Sequence, residues 1–155
     1  MNPISPGNID ILAVDDRPDN LKLLKDMLQE RGYGIRAATN GELALESVRH
    51  ALPDVVLLDI NMPGMDGYEV CRRLKEIPGF GETPVIFVSA LSEMDNIVDA
   101  FRNGGVDYVT KPYKLEEIEQ RMQTQLELCR LRKMEKNNPG LQITEGYLEE
   151  KSGGN

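Results

Sequence analysis

Residues 55–67 of the chain are VVLLDINMPGMDG, an apolar run that ends in Asp59 and is followed by a polar turn. Three other apolar runs also end in polar side chains: Ile9–Val14 precedes Asp15 and Asp16, Val85–Val88 precedes Ser89, and Tyr108–Val109 precedes Thr110, Lys111 and Pro112. Continuous apolar runs of this kind are typical of strands buried on both faces of a parallel sheet. If all four runs are parallel strands, carboxylates, a hydroxyl and an amine meet at one edge of the sheet.

Amphipathic helical patterns separate these runs. Apolar residues recur at intervals of three and four, as expected for helices that bury one face. The first pattern covers residues 18–31, and the second starts at the capping-box-like Thr39–Glu42 and includes Leu45, Val48 and Leu52. The third runs from Val70 to Ile77 and is ended by Pro78-Gly79. The fourth runs from Ser92-x-x-Asp95 to Asn103, and the fifth covers residues 114–134. The short run Ile35–Ala38 supplies a further strand, so strands and helices alternate five times.

This alternation predicts one doubly wound α/β domain over residues 9–134. Helices between parallel strands form right-handed crossovers that cover both faces of the sheet. Open sheets of this type bind ligands beyond the carboxyl ends of their strands, which is where the polar residues lie. Residues 1–8 are expected to form a flexible arm, and residues 135–155 a flexible tail or linker. The fifth helical pattern is longer than the sheet requires. Its last part is interpreted as a linker to an output domain, as a dimer interface or as a helix that simply ends, and the sequence does not decide among the three.

Composition excludes several classes of protein. A net charge of −8 and a pI near 4.7 argue against a nucleic-acid-binding surface in this chain. Cys71 and Cys129 have no C-x-x-C spacing, and a reduced pair is expected rather than a disulfide or metal site. No apolar stretch approaches the ~20 residues of a membrane span. We therefore expect a cytoplasmic protein, with its single histidine, His50, at the surface.

The polar strand ends favour phosphoryl chemistry with a hard cation. Asp15, Asp16 and Asp59 would repel one another if they were ionised without a counter-charge. Mg²⁺ resolves this repulsion, because it prefers oxygen ligands and is commonly held by one or two carboxylates plus a phosphate. Lys111 then offers a positive charge, and Ser89 a hydroxyl, to the remaining phosphoryl oxygens. Asp59 stands alone at its strand end, and it is the best candidate for a nucleophile that forms an acyl phosphate.

With these motifs the chain resembles a response-regulator receiver domain of two-component signalling, from about Ile9 to about Leu131. The resemblance is carried by several short motifs in a fixed order: Asp15-Asp16, Asp59 with Pro63 and Gly67 behind it, Ser89-Ala90, Tyr108, and Lys111-Pro112. It implies a flavodoxin-like five-stranded parallel sheet in the order 2-1-3-4-5, a strand order taken from the family rather than from the residues. Ser89 stands where threonine is commoner.

The resemblance also implies a role for each site residue. Asp16, Asp59 and the backbone carbonyl of Asn61 would bind Mg²⁺ directly, and Asp15 would bind it through water. Asp59 would accept a phosphoryl group from a sensor histidine kinase or a phosphotransfer protein. Lys111, the Ser89 hydroxyl and the Ala90 amide would bind the phosphoryl group. Ser89 and Tyr108 would change position on phosphorylation and so act as the conformational switch. The peptide bond before Pro112 is expected to be cis. The fourth helix, fifth strand and fifth helix would form the output surface, where many receivers dimerise or contact an output domain or effector protein.

Three alternatives remain open on the sequence alone. A haloacid-dehalogenase-like phosphatase also places an aspartate after a buried strand, but it needs an acidic residue two positions later, where this chain has Asn61. A flavodoxin-like cofactor binder would need a Ser/Thr/Gly-rich phosphate loop in place of Asp15-Asp16. A non-phosphorylated scaffold would keep the fold for protein contacts, and the complete set of site residues counts against it. We therefore expect a signalling phosphoacceptor rather than an enzyme.

Overall fold

The computed structural model describes residues 4–90, 94–137, 140–144 and 147–150. Its main sheet contains five parallel strands in the order β2-β1-β3-β4-β5. The strands are β1 (Asp10–Val14), β2 (Gly34–Ala38), β3 (Val55–Leu58), β4 (Val85–Ser89) and β5 (Asp107–Thr110). The flavodoxin-like fold with the strand order 2-1-3-4-5 is confirmed.

Helices cover both faces of this sheet. They are α1 (Pro18–Glu30), α2 (Gly41–His50), α3 (Gly67–Lys75), α4 (Met94–Arg102) and α5 (Leu115–Asn137). Buried residues of α2, α3 and α4 pack on one face of the strands, and those of α1 and α5 pack on the other. Successive residues of β1 and β3 enter opposite clusters, since side chains alternate across a strand. The strands are therefore buried on both sides, as their continuous apolar runs predict.

Several helix ends differ from the sequence prediction by one to three residues. Asn40 caps α2, its side chain accepting a hydrogen bond from the Leu43 N–H at 2.8 Å, where the capping-box pattern pointed to Thr39. Leu52 lies beyond the end of α2 and is exposed, and Ile77 is buried beyond the end of α3. Tertiary packing rather than periodicity fixes these ends. Ser92, the predicted start of α4, lies outside the described residues.

The two ends of the chain contain structure that the sequence pattern did not predict. The Ile4 N–H donates to Gln123 Oε1 at 2.9 Å, and Gln123 Nε2 donates to the Ile4 carbonyl at 3.0 Å. Ile4 is therefore docked on α5, and residues 6–8 after it form a 3₁₀ turn. Beyond α5, β6 (Leu141–Thr144) pairs with β7 (Tyr147–Glu150) as an antiparallel hairpin. The sequences of β6 and β7, LQIT and YLEE, contain no continuous apolar run like that of β3, so the pattern of apolar runs did not detect them.

Both cysteines are free in the structure. Cys71 is fully buried in α3, and burial raises the pKa of its thiol to about 11. His50 is exposed at the end of α2, as predicted. In the described part of the chain, no helix combines the length and the apolar character needed to cross a membrane.

Candidate functional site

Sheet pairing brings the polar strand ends together. The Asp59 N–H donates to the Val14 carbonyl at 2.9 Å, which continues the β1–β3 pairing one residue beyond β3. In the same way the Lys111 N–H donates to the Ser89 carbonyl at 2.8 Å beyond β5. These backbone bonds place Asp59 next to the end of β1 and Lys111 next to the end of β4. One edge of the sheet therefore carries all the polar groups predicted from the sequence.

The three carboxylates of this edge form one cluster. Asp15, Asp16 and Asp59 each offer an oxygen atom, and these atoms all lie within 4.8 Å of one another. Asp15 and Asp59 are only 7% and 8% exposed, while Asp16 is half-buried. Opposite oxygen ligands of Mg²⁺ are ~4.2 Å apart, because each Mg–O bond is ~2.1 Å long. The cluster is therefore close to the spacing that a hard divalent cation requires, and its all-oxygen donors suit Mg²⁺.

Lys111 is the cation that the protein itself places in the cluster. Its Nζ donates to Asp15 Oδ2 at 2.8 Å and lies 3.6 Å from Asp59 Oδ2. Burial lowers the pKa of Lys111, but the hydrogen bond to Asp15 and the charges of Asp59 and Asp15 outweigh burial, so its pKa is raised overall. The lysine is therefore charged at neutral pH. The peptide bond between Lys111 and Pro112 is cis.

The Asp59 carboxyl group lies in an environment that opposes its ionisation. Burial raises the pKa of Asp59 most strongly, the charge of Lys111 lowers it, and the charge of Asp15 raises it. A weak hydrogen bond of 3.4 Å from the Asn61 N–H and the proximity of the Ser89 hydroxyl lower it further. The net effect is a raised pKa, because the nearby donors do not fully replace the water that burial removes. An added cation would correct this deficit.

Ser89 and Tyr108 lie beside Asp59 on β4 and β5. Ser89 is 1% exposed, and among the described residues its hydroxyl makes no hydrogen bond of normal geometry. That hydroxyl is nevertheless near enough to the Asp59 carboxylate and the Tyr108 phenol to lower the pKa of each. Burial outweighs this effect at Tyr108 and raises its pKa. A buried hydroxyl without a partner is uncommon and suggests a ligand that supplies one.

Two further predicted residues, Asn61 and Ala90, follow the strands next to the cluster. Asn61 and Ala90 are both exposed, and they follow β3 and β4 in the loops that flank Asp59. Every site residue predicted from the sequence therefore lies at this single edge of the sheet.

Sequence reasoning missed two groups that support the cluster. The Arg17 N–H donates to Asp15 Oδ1 at 2.9 Å, while Lys111 donates to Asp15 Oδ2. Both oxygens of the Asp15 carboxylate are therefore held in place. Tyr113 and Lys111 line the same small cavity beside Asp59. The only sequence signal for Tyr113 is its position directly after Lys111-Pro112, and a backbone N–H leaves no signal.

The raised pKa of Asp59 leads to a first prediction. Without divalent cation, Asp59→Asn is expected to raise the free energy of unfolding at pH 7 by about 1 kcal/mol, since it removes a poorly compensated buried charge. Folding raises the pKa of Asp59, so the folded state binds more protons than the unfolded state does. The wild-type protein therefore becomes more stable as the pH falls from above the raised pKa of the folded state to the ordinary pKa of the unfolded state. The difference in unfolding free energy between Asp59→Asn and wild type should therefore become smaller over this pH range.

Urea unfolding in EDTA at several pH values measures this difference. The exposed neighbour Asp19 provides the control, and Asp19→Asn should give no comparable stabilisation. A destabilised Asp59→Asn protein at pH 7 would show that Asp59 is well paired without a metal ion.

Comparisons with known proteins agree with this geometry. A family model described as the response regulator receiver domain matches residues 11–123. The response regulator PleD of Caulobacter vibrioides is 40% identical over 102 residues, which are 66% of this chain and 22% of PleD. The DNA-binding response regulator MtrA of Mycolicibacterium smegmatis is 36% identical over 116 residues, 75% of this chain and 50% of MtrA. The chain thus spans between 22% and 50% of these relatives.

Solved structures show the same similarity. The receiver domain of the sensor histidine kinase PA1611 from Pseudomonas aeruginosa was solved with a magnesium ion coordinated in its active-site cleft. It superposes with a TM-score of 0.71 and 27% identity, and the match covers 77% of this chain and 98% of that domain.

Proposed function

The chain belongs to the response regulator receiver domain family, and we propose that it is a cytoplasmic, Mg²⁺-dependent phosphoacceptor of two-component signalling. Asp59 would take a phosphoryl group from a phosphohistidine on a sensor histidine kinase or a phosphotransfer protein. The observation that carries this proposal is the position of the Asp59 carboxylate, which is 8% exposed, clustered with Asp15 and Asp16, and 3.6 Å from the Lys111 amine. In this view the protein is a signalling switch rather than an enzyme.

The carboxylate cluster fits the metal ion that the family implies. Asp16, Asp59 and the backbone carbonyl of Asn61 would bind Mg²⁺ directly, and Asp15 would bind it through a water molecule. The Asp15 oxygens already accept from Lys111 and from the Arg17 N–H, which supports an indirect role for Asp15. When bound, the cation neutralises the carboxylates and lowers the energy of the negative phosphoryl oxygens near them.

The chain's own residues would then perform the transfer. An Asp59 carboxylate oxygen attacks phosphorus, the new P–O bond forms as the P–N bond of the phosphohistidine breaks, and the electron pair of that bond stays on the imidazole nitrogen. The Lys111 amine, already directed at the cluster, pairs with the transferred group. The Ala90 N–H and the Ser89 hydroxyl donate to its remaining oxygens. The Ser89 hydroxyl, which lacks a partner among the described residues, gains one in the phosphorylated state.

Ser89 and Tyr108 would convert phosphorylation into a change of shape. A phosphoryl group adds almost two negative charges and three acceptor oxygens. It shifts the domain only to the extent that one conformation binds it better than the other. Movement of the Ser89 hydroxyl toward the phosphoryl group would open space beside β4, and Tyr108 would rotate into that space. Tyr108 is 7% exposed, so its ring is already largely buried in this structure.

The surface formed by α4, β5 and α5 is the expected output surface, by homodimer formation or by contact with an output domain or effector protein. Val98 and Phe101 of α4 support this proposal, since they are 40% and 50% exposed despite being apolar. α5 is longer than the sheet requires, and the chain spans at most half of the two curated relatives described above. Both observations support a link from α5 to further domains. We propose no nucleic-acid binding by this chain itself, given its net charge of −8.

Acetyl phosphate provides a direct test, because it transfers a phosphoryl group without a kinase. With Mg²⁺, wild type should gain the mass of one phosphoryl group in an intact-mass spectrum, and Asp59→Asn should gain none. Asp99→Asn serves as a matched control on α4 and should behave as wild type. Equal labelling of the Asp59→Asn and wild-type proteins would overturn the proposal. Absence of labelling in both would favour the scaffold, and sustained turnover of a phosphate ester would favour a phosphatase.

A second prediction concerns the metal ligands. Mg²⁺ at 100 times its dissociation constant should stabilise wild type by about 2.7 kcal/mol, because only the folded state contains the assembled cluster. Asp16→Asn removes one charged ligand and should reduce this gain at the same Mg²⁺ concentration by more than half. Asp19→Asn, three residues later and exposed, should keep it. Thermal unfolding with and without Mg²⁺ measures the stabilisation of each variant. Equal stabilisation of Asp16→Asn and Asp19→Asn by Mg²⁺ would exclude Asp16 as a ligand.

A further inference from the structure

A second cavity lies at the edge of the sheet opposite Asp59, where the strands begin. Its volume is about 470 Å³, and it lies between residues 4–9, the loop of residues 79–84 before β4, and the second half of α5. Small-molecule sites in proteins have volumes of roughly 300–1,000 Å³. None of the proposed phosphoryl or metal residues lines this cavity in the described part of the chain. It is therefore separate from the site proposed above, and nothing in the phosphotransfer proposal uses it.

The cavity has an apolar floor and a positively charged rim. Ile9, Phe80 and Leu126 are among its lining residues, and each is buried, with exposures of 3%, 1% and 7%. Along α5, Leu126 is followed on the same helix face by Arg130 and Lys133, since positions four and seven residues apart share a face. Lys136 also lines the cavity, as do the carboxylates of Asp54 and Glu82, so the charged groups of the lining carry a net charge of only +1.

The rim already binds one carboxylate of the protein. Lys136 Nζ donates to Glu82 Oε2 at 2.7 Å, and the Cys129 thiol lies 3.4 Å from the Glu82 carbonyl oxygen. The hydrogen bond from Lys136 is the main cause of the lowered pKa of Glu82, and the charges of Arg132 and Lys133 add to it. Lys133 itself makes no ion pair within the described residues, so its charge is available to a second anionic group.

We propose that this cavity binds a small amphipathic anion, whose flat apolar body enters between the loop of residues 79–84 and α5 and whose carboxylate, sulfonate or phosphate pairs with Lys133. Such a ligand would bridge the body of the domain and the second half of α5, the helix that leads out of the sheet. Charge favours this class, because Arg130 already pairs with Glu127 and Lys136 with Glu82, whereas Lys133 has no ion pair within the described residues.

Anilinonaphthalene sulfonate has this chemistry and becomes fluorescent when its rings leave water. Titrated into the full chain at low salt, it should bind saturably with a stoichiometry of one. Lys133→Glu should weaken binding at least tenfold, while Lys114→Glu, an equal charge change just before α5, should leave it unchanged. Circular dichroism checks that each variant is folded. Asp59→Asn should bind the dye as wild type does, which separates this test from that of the phosphotransfer proposal.

Cys129 provides an independent readout, because it lines the cavity while Cys71 is fully buried elsewhere. The dye should slow alkylation of Cys129 by neutral iodoacetamide in wild type and have less effect in Lys133→Glu. Non-saturable binding, or dye binding that Lys133→Glu leaves unchanged, would overturn the proposal. So would loss of binding in Phe101→Ala, since that result would place the dye on the exposed apolar residues of α4.

Discussion

Replacing Gly67 with alanine is expected to lower the free energy of unfolding by at least about 3 kcal/mol, the upper end of the usual cost of overpacking. A Cβ atom at this position would overlap the Asp59 carbonyl oxygen and would lie 2.7 Å from the Ile60 Cα. Both neighbours are backbone atoms, so neither can move as a flexible side chain would. The start of α3 and the loop after Asp59 must therefore separate, and phosphoryl labelling of Asp59 should fall together with stability.

Thermal unfolding checks this expectation. For a chain of this size, a loss of about 3 kcal/mol corresponds to a fall in Tm of roughly 6–12 °C. Gly7→Ala is the matched control, because a Cβ atom there meets no atom within 4 Å. A Gly67→Ala protein that unfolds within about 2 °C of the Gly7→Ala protein would show that α3 does not pack this closely against the Asp59 loop.

Lys111→Met is expected to reduce the rate of labelling by acetyl phosphate by about 10²-fold or more, because a preorganised positive group at a site of developing negative charge contributes about this much. Methionine keeps most of the aliphatic length of lysine and removes the charge that lies 2.8 Å from Asp15 and 3.6 Å from Asp59. Without metal ion the variant should also lose about 1–3 kcal/mol of stability, because the buried Asp15 carboxylate loses its hydrogen-bond donor and Asp59 loses a nearby positive charge.

Mg²⁺ should restore part of this stability but little of the labelling rate. The cation can neutralise the carboxylates, whereas it cannot replace an amine directed at the other phosphoryl oxygens. Lys114→Met, three residues later and exposed, is the control for loss of a positive charge. Labelling of Lys111→Met at the wild-type rate, combined with the loss of stability, would reduce Lys111 to a structural partner of Asp15.

Much of the fold was predictable because the information is local. The runs Ile11–Val14, Val55–Leu58 and Val85–Val88 are uninterrupted and apolar, which is typical of buried parallel strands. The strand order does not follow from such local patterns, since it depends on which strands pair, and it came from the family resemblance. The docked N-terminal residues escaped prediction because Ile4 binds Gln123, a partner 119 positions away.

The site was predictable to the level of residues but not of contacts. A parallel sheet places the residues after its strands at one edge, so Asp15, Asp59 and Lys111 had to be neighbours. Their pairing did not follow from this, since the hydrogen bond of Lys111 is to Asp15 and not to Asp59. The exclusion of any side chain at Gly67 likewise depends on a close approach between α3 and the Asp59 backbone.

Chemical mapping of the phosphoryl group tests the central claim most directly. An acyl phosphate is reduced by borohydride to an alcohol, so a phosphorylated aspartate becomes homoserine and can be located in a peptide digest. After treatment with acetyl phosphate and Mg²⁺, homoserine should be found at position 59, and its yield should fall to background when EDTA replaces Mg²⁺. Homoserine at Asp15 or Asp16 with an unmodified Asp59, or an equal yield without Mg²⁺, would contradict the account.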